Sequence, residues 1–239
     1  MMSQPTPSDQ LSTATPAESG RWLAIETSGL FGSVAAGVVT DAGCELAAAR
    51  PLPRDARSAR TLAPAIQSLL SELGWAPSEL AAVAIAVGPG SFTGLRVGVT
   101  TAKTLAWAAG AAAIGVDTLD ALAEATGPPQ EPTGRLWTLL DAQRGEMFVA
   151  DFDAVEGAWE RHRGTWRATT ETLKAELRPG DRVVGPPAAA FGGEPIEPTA
   201  GAVLQVAWRR WRDGAADSVF ALAPQYHRLS AAEEKLVIK

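Results

Sequence analysis

The segment GPGSFTGLRVG, Gly88 to Gly98, puts glycines and hydroxyls directly after the apolar run AAVAIAV. Gly88, Gly90 and Ser91, with Thr27, Ser28 and Gly29 after an earlier apolar run, are the candidate nucleotide-binding residues. Free backbone amides at a helix N-terminus, supported by hydroxyls, are suited to phosphate. Neither well-defined phosphate loop is present, however. A Walker loop needs Gly-Lys-Ser/Thr, and Leu95 follows Gly94 here; a dinucleotide loop from Gly88 needs glycine where Thr93 stands. The same glycines serve equally well in a tight strand-to-helix turn capped by Thr93, and the failed motifs favour the turn.

Other reactive groups are sparse. The two histidines, His162 and His227, are far apart and do not form an H-x-x-x-H pair. That pair would place both imidazoles on one helix face for a metal. His162 lies between arginines on a solvated strand face, and His227 reads as structural. The single cysteine, Cys44, opens an apolar strand with no nearby histidine, so an inert thiol is expected. G-x-S-x-G is absent. Asp141, Arg144 and Glu146 in DAQRGE make a compact polar turn, read from the residues as a hairpin with a local ion pair. No residue is assigned a catalytic or metal-binding role.

These residues must be positioned by regular elements. WLAIET, SVAAGVVT and CELAAARPL read as strands and SARTLAPAIQSLLSEL as a helix N-capped by Ser58. AAVAIAV reads as a strand buried on both faces. AAIGV follows the glycine-rich helix, and Asp117 caps DTLDALAEA, with Asp120 giving a capping-box-like start. GPPQEPTG, 127–134, is the expected linker. Beyond it, RLWTLLD, EMFVADFD and GAWERHRGT are strands, TTETLKAEL a helix, DRVVG a strand and AGAVLQVAWRRWRDG a helix. Three strands, helix, strand, helix thus occurs twice, which predicts two α/β lobes at 21–126 and 135–239, the C-terminal segment returning to the first. Residues 1–20 read as a disordered extension without the features of a signal peptide.

A net charge of −6 gives no global field for nucleic acid. No apolar run is long enough to span a bilayer. Arg50, Arg54, Arg57 and Arg60, and Arg209, Arg210 and Arg212 beside Trp208 and Trp211, read as solvated faces, with RNA phosphates or an acidic partner as the alternative. Within FTGLRVGVTTAKTLAWAA, Gly94, Gly98, Ala102, Ala106 and Ala109 form one small-residue stripe. Two glycines there cost about 1–2 kcal/mol of helix propensity against alanine, which close approach of another backbone would offset. Packing on the chain's own sheet is one reading; a partner's helix is the other.

LAIETS, GPGSFTGLRVG, DAQRGEMF and PQYHR together resemble the TsaB family, over residues 22 to about 232. Glu26 replaces the Asp frequent there, and Ser58 replaces a His. The resemblance implies a two-lobed actin-like (ASKHA, Hsp-type ATPase) fold with a glycoprotease-like label. It implies a cytoplasmic, non-catalytic subunit pairing with TsaD to make threonylcarbamoyladenosine in tRNA. A TsaE-like ATPase would join the complex, and tRNA would be met only through the complex. The implied interface is Ser58, Leu62, Ile66, Leu69, Gly94, Leu95, Gly98, Val99, Ala102, Leu105 and Ala106. Asp141, Arg144, Gly145, Glu146, Tyr226 and Arg228 are the implied family-motif residues, the first four in a second-lobe signature that the resemblance puts near the interlobe cleft. A homodimer through the same face, and ATP or ADP at the cleft or interface, are further expectations. The rival readings are a small-molecule kinase or ATPase of this fold and a glycoprotease-like peptidase.

Overall fold

The computed structural model describes residues 19–53, 58–130 and 134–228. Strands β1 (Gly20–Glu26), β2 (Ser33–Thr40), β3 (Gly43–Pro51), β4 (Leu80–Gly88) and β5 (Ala112–Asp117) form a five-stranded sheet ordered β3-β2-β1-β4-β5. The first three strands are an antiparallel meander, and β4 and β5 are added in parallel. Their crossovers are α1 (Ser58–Glu72) and α2 (Phe92–Ala109). A second sheet, ordered β8-β7-β6-β9, contains β6 (Leu136–Gln143), β7 (Glu146–Val155), β8 (Ala158–Thr169) and β9 (Arg182–Val184). Three further helices are α3 (Thr118–Ala125), α4 (Thr170–Glu176) and α5 (Ala200–Arg212). The two-lobed α/β arrangement is the one expected.

Strand alternation assigns the two faces of the first sheet. Leu23, Ile25, Val83 and Ile85 face Leu62, Ile66 and Leu69 of α1 and Val99 and Ala102 of α2. Trp22, Ala24, Ala82 and Ala84 face Val203, Leu204 and Ala207 of α5. β4 is covered on both sides, as its continuous run of small apolar residues implied. Leu119 and Leu122 of α3 pack with Leu136, Phe148 and Phe152 of the second sheet, so α3 joins the lobes.

Two expectations about the elements need correcting, and a third falls outside the described residues. The repeat holds for the order of elements but not for packing. α5, which falls in the second-lobe range 135–239, packs on β1, β2 and α3 of the first lobe. Its apolar face matches Trp22 and the small residues of β1 and β4, and Trp211 meets Trp22 edge-on at 5.6 Å. Asp117 does cap α3, its carboxylate accepting from the Leu119 N–H at 2.8 Å. Asp120 instead faces Arg161 of β8 at 3.3 Å, outside a capping box. α1 begins at Ser58, whose side chain lies outside the described residues together with Arg54, Arg57 and most of the N-terminal extension.

Candidate functional site

Three short segments meet at the N-terminus of α2: Glu26–Gly29 after β1, the glycine loop 88–91, and Gln225–Arg228 near the C-terminus. The loop is a turn rather than a cradle. The Ser91 N–H donates to the Ser28 carbonyl at 2.7 Å, and the Gln225 N–H donates to the Val87 carbonyl at 2.7 Å. Gly88 has φ +128°, and a Cβ on it would lie 2.6 Å from the Gln225 carbonyl oxygen. A Cβ on Gly90 would lie 2.5 Å from the Ser28 carbonyl oxygen. The cap of α2 is Ser91, whose hydroxyl accepts from the Gly94 N–H at 3.3 Å, and not Thr93.

The nucleotide-binding assignment of Thr27, Ser28, Gly29, Gly88, Gly90 and Ser91 does not fit this geometry. The Thr27 hydroxyl donates to the Gly94 carbonyl at 2.9 Å. The Ser28 N–H and hydroxyl both donate to Glu26 Oε1, the N–H at 2.6 Å. Behind Gly29 stands Glu197, its Oε2 3.4 Å from where a Cβ would be. A phosphate here would meet carboxylates in place of free amides.

Glu26 itself is fully buried, and its Oε2 has no hydrogen-bond partner among the described residues. Burial pushes its carboxyl up to about 7, against the lowering effect of the Ser28 and Gly29 hydrogen bonds; Glu197 adds a smaller upward push.

The glycine stripe of α2 also faces inward. A Cβ on Gly94 would overlap the Thr27 carbonyl oxygen, and one on Gly98 would overlap the Thr27 hydroxyl and crowd Ile85. Gly94, Leu95, Gly98, Val99, Ala102 and Ala106 are buried against the chain's own sheet. Leu62, Ile66 and Leu69 are buried beside them, and Leu105 and Ala109 are half-buried at the edge of the same core. The preferred reading of this stripe as a surface for a visiting helix is therefore overturned. The backbone that comes unusually near is that of Thr27.

What faces solvent on α2 is the opposite stripe: Thr93, Arg96, Thr100, Thr104 and Trp107. Trp107 is 69% exposed. Arg60, Ala63 and Gln67 are exposed on the neighbouring α1. Sequence reasoning passed over this stripe, although hydroxyls, an arginine and a tryptophan at spacings of three and four were visible. Along the other side of α2 runs the segment 217–228. Lys103 donates to the carbonyls of Phe220 and Leu222 at 3.0 and 2.9 Å, leaving the Phe220 ring exposed.

The family-motif residues divide between the lobes. Tyr226 reaches α2, its hydroxyl accepting from Arg96 Nε at 3.0 Å. Arg228 donates to the Ala142 carbonyl at 2.5 Å and the Gln143 carbonyl at 3.3 Å, and lies 3.8 Å from Glu146. Glu146 pairs with Arg167 at 3.2 Å, on the neighbouring strand. Asp141 accepts from the Gln143 N–H at 2.6 Å, shaping the turn in which Gln143, Arg144 and Gly145 all have positive φ. The segment containing Tyr226 and Arg228 is thus a strap between the α2 N-terminus and the β6–β7 turn.

Remaining reactive groups are occupied structurally. His162 pairs with Asp153 at 2.9 Å. His227 lies edge-on to Phe148 at 6.0 Å, its pKa lowered by burial. Burial pushes the Cys44 thiol up to about 11, away from the reactive thiolate. Arg209 pairs with Glu124, and Arg212 lies over Trp208. Among the described residues no three His, Cys, Asp or Glu side chains converge, and no helix is long and apolar enough to cross a membrane. A cavity of about 700 Å³ lies in the second lobe, lined by Arg135, Asp153, Glu176 and Asp181. Its mixed charges include Arg135, already tied to Asp151 and Asp153.

Comparison with known proteins places this architecture. The family model for TsaD, tRNA N6-adenosine threonylcarbamoyltransferase, matches residues 51–165. Two solved structures from Pseudomonas aeruginosa share the fold at 22% identity. One is an uncharacterized protein with similarity to peptidase YeaZ (TM-score 0.74, 87% of this chain and 100% of that one). The other is YeaZ (TM-score 0.71, 87% and 99%). The tRNA threonylcarbamoyladenosine biosynthesis protein TsaB of Bacillus subtilis is 39% identical over 98 residues, covering 41% of this chain and only 42% of that protein. The Escherichia coli protein of the same name is 30% identical over 175 residues, 73% of this chain and 68% of that protein. The shared length and identity show that the chain belongs to the TsaB family.

Proposed function

We propose that this chain is a non-catalytic subunit in the formation of threonylcarbamoyladenosine in tRNA. It pairs with a TsaD-type transferase, which carries threonylcarbamoyl to the adenosine next to the anticodon. The surface for pairing is the outward stripe of α2 with the adjoining face of α1, in place of the buried stripe first expected. The observation that carries this reading is Trp107, 69% exposed on a helix whose other large apolar side chains are covered or partly covered. An indole left in water at the end of a continuous helical stripe is well suited to a protein neighbour.

Ser28, whose hydroxyl donates to Glu26, is buried together with that carboxylate, and the loop that would hold a phosphate is filled by the chain's own atoms. These two features support a supporting rather than chemical role; a cytoplasmic setting, a TsaE-like ATPase as a further component and tRNA met through the assembly belong to the family reading. Incorporation of labelled threonine into tRNA provides the test. The purified chain alone should transfer nothing, and adding it to the TsaD-type subunit, the ATPase and a source of threonylcarbamoyl-adenylate should raise transfer at least about tenfold. Transfer by the chain alone would overturn the reading, as would full transfer without it.

A further inference from the structure

The solvent face of α2 carries a constellation to which α2 contributes only in part. The Arg96 guanidinium lies over the Phe92 ring, 4.0 Å from its centroid, and 5.9 Å from the centroid of Tyr226. The two rings are 4.7 Å apart, and Arg96 Nε donates to the Tyr226 hydroxyl at 3.0 Å. Tyr226 is held in place by the strap, with Gln225 on Val87 at one side and Arg228 on Ala142 at the other. Stacking fixes the plane of the guanidinium, and the hydrogen bond occupies Nε. Its two Nη groups have no partner among the described residues.

The surrounding charge is one-sided. α2 contains no Asp or Glu, and the only acid of α1, Glu72, is taken by Arg50. The charges on these two helices outside that pair are Arg60, Arg96 and Lys103. In a chain of net charge −6 this is a local reversal of sign.

We propose that Phe92, Arg96 and Tyr226 form a preassembled clamp for an Asp or Glu side chain of the TsaD-type subunit, with Trp107 as the apolar anchor on the same stripe. The inference rests on the pairing reading above and adds the chemistry of the partner's facing surface. A planar guanidinium presents a fork that matches carboxylate geometry. Holding it before binding reduces the ordering cost at the interface. Arginine, tyrosine and tryptophan are also the residue types that dominate interface energetics. A second copy of this chain is a poor occupant, because the same cationic face would meet itself. RNA is poorly served, since phosphate surfaces commonly use about six to ten cationic contacts and these helices supply few.

Calorimetric titration of the whole chain against the purified TsaD-type subunit, at low and at high salt, tests the clamp. Arg96→Ala should weaken binding about 30-fold at low salt and flatten the salt dependence. Arg96→Lys should recover little, since lysine lacks the fork. Tyr226→Phe, which keeps the ring stack and releases Nε, should weaken binding by about fivefold. Thermal melts confirm that each variant is folded, and Arg212→Ala, on the opposite side of the sheet, should bind as the parent does. Unchanged affinity and salt dependence for both Arg96→Ala and Tyr226→Phe would overturn the clamp and leave pairing intact. Failure of the parent chain to bind would instead overturn the pairing reading. Displacement of the TsaD-type subunit by tRNA, or self-association lost in Arg96→Ala, would reassign the patch to RNA or to a second copy.

Discussion

Glu26 ends β1 inside the protein with one oxygen bound to Ser28 and the other without a hydrogen-bond partner among the described residues. Its carboxyl titrates near 7 where an exposed glutamate titrates near 4.5, chiefly because the charged form is removed from water. An acid with a raised folded pKa binds more protons folded than unfolded. Its contribution is therefore fully present below about 4.5, falls as pH rises through this window, and levels off above about 7. Glu26→Gln keeps the shape of the side chain and removes the titration. Urea unfolding should show the variant more stable than the parent at pH 8, by up to about 3 kcal/mol, with the advantage vanishing near pH 4.5. A parent whose stability is flat between those values would place the proton elsewhere. The position of Glu26 at a strand end was legible in the sequence. Its burial was not, because Glu197 comes near it from the segment before α5 and Ser33 pairs with it from the neighbouring strand.

Among the elements, α2 shows most clearly how a correct local reading can carry a wrong conclusion. The stripe of Gly94, Gly98, Ala102 and Ala106 was visible, as was the need for another backbone nearby to offset the two glycines. Helical periodicity defines a face but does not say what covers it. Here the covering chain is Thr27, whose carbonyl and hydroxyl occupy the space that side chains at 94 and 98 would take. Gly94→Ala and Gly98→Ala are therefore expected to destabilise the chain itself by about 2–3 kcal/mol, despite the better helix propensity of alanine. Denaturant midpoints measured without any partner are the direct check. Midpoints equal to the parent's would mean that the notch is open after all.

Across the whole molecule, the lobes are joined by α3, by the strap and by an ionic contact that spans them. Arg161 of β8 pairs with Asp117 at 3.0 Å and Asp120 at 3.3 Å, at the junction of β5 and α3. Burial, reinforced by the Asp117 charge, pushes the Asp120 carboxyl up to about 6 even with Arg161 present. Removing the arginine would leave two carboxylates facing each other across the junction. Arg161→Ala should cost roughly 2 kcal/mol at pH 7.5, less than a fully buried pair because the guanidinium keeps some contact with water. The loss should shrink toward pH 5, as Asp120 takes a proton, and amide exchange should quicken in α3 and β8 together. A loss independent of pH would assign Arg161 to packing on Phe152 alone.

Local chemistry determined the order of elements, the double-sided burial of β4, the cap at Asp117 and the family-motif segments. Each depends on neighbours within a few residues, which spacing and side-chain type reveal. Tertiary structure alone decided which face of α2 meets water and that α5 belongs to the first sheet. It also brought Tyr226 to Arg96 across 130 positions and Arg161 to Asp117 across 44. Those contacts depend on how two sheets share helices and a returning chain, and their residues carry no mark of each other's position along the sequence.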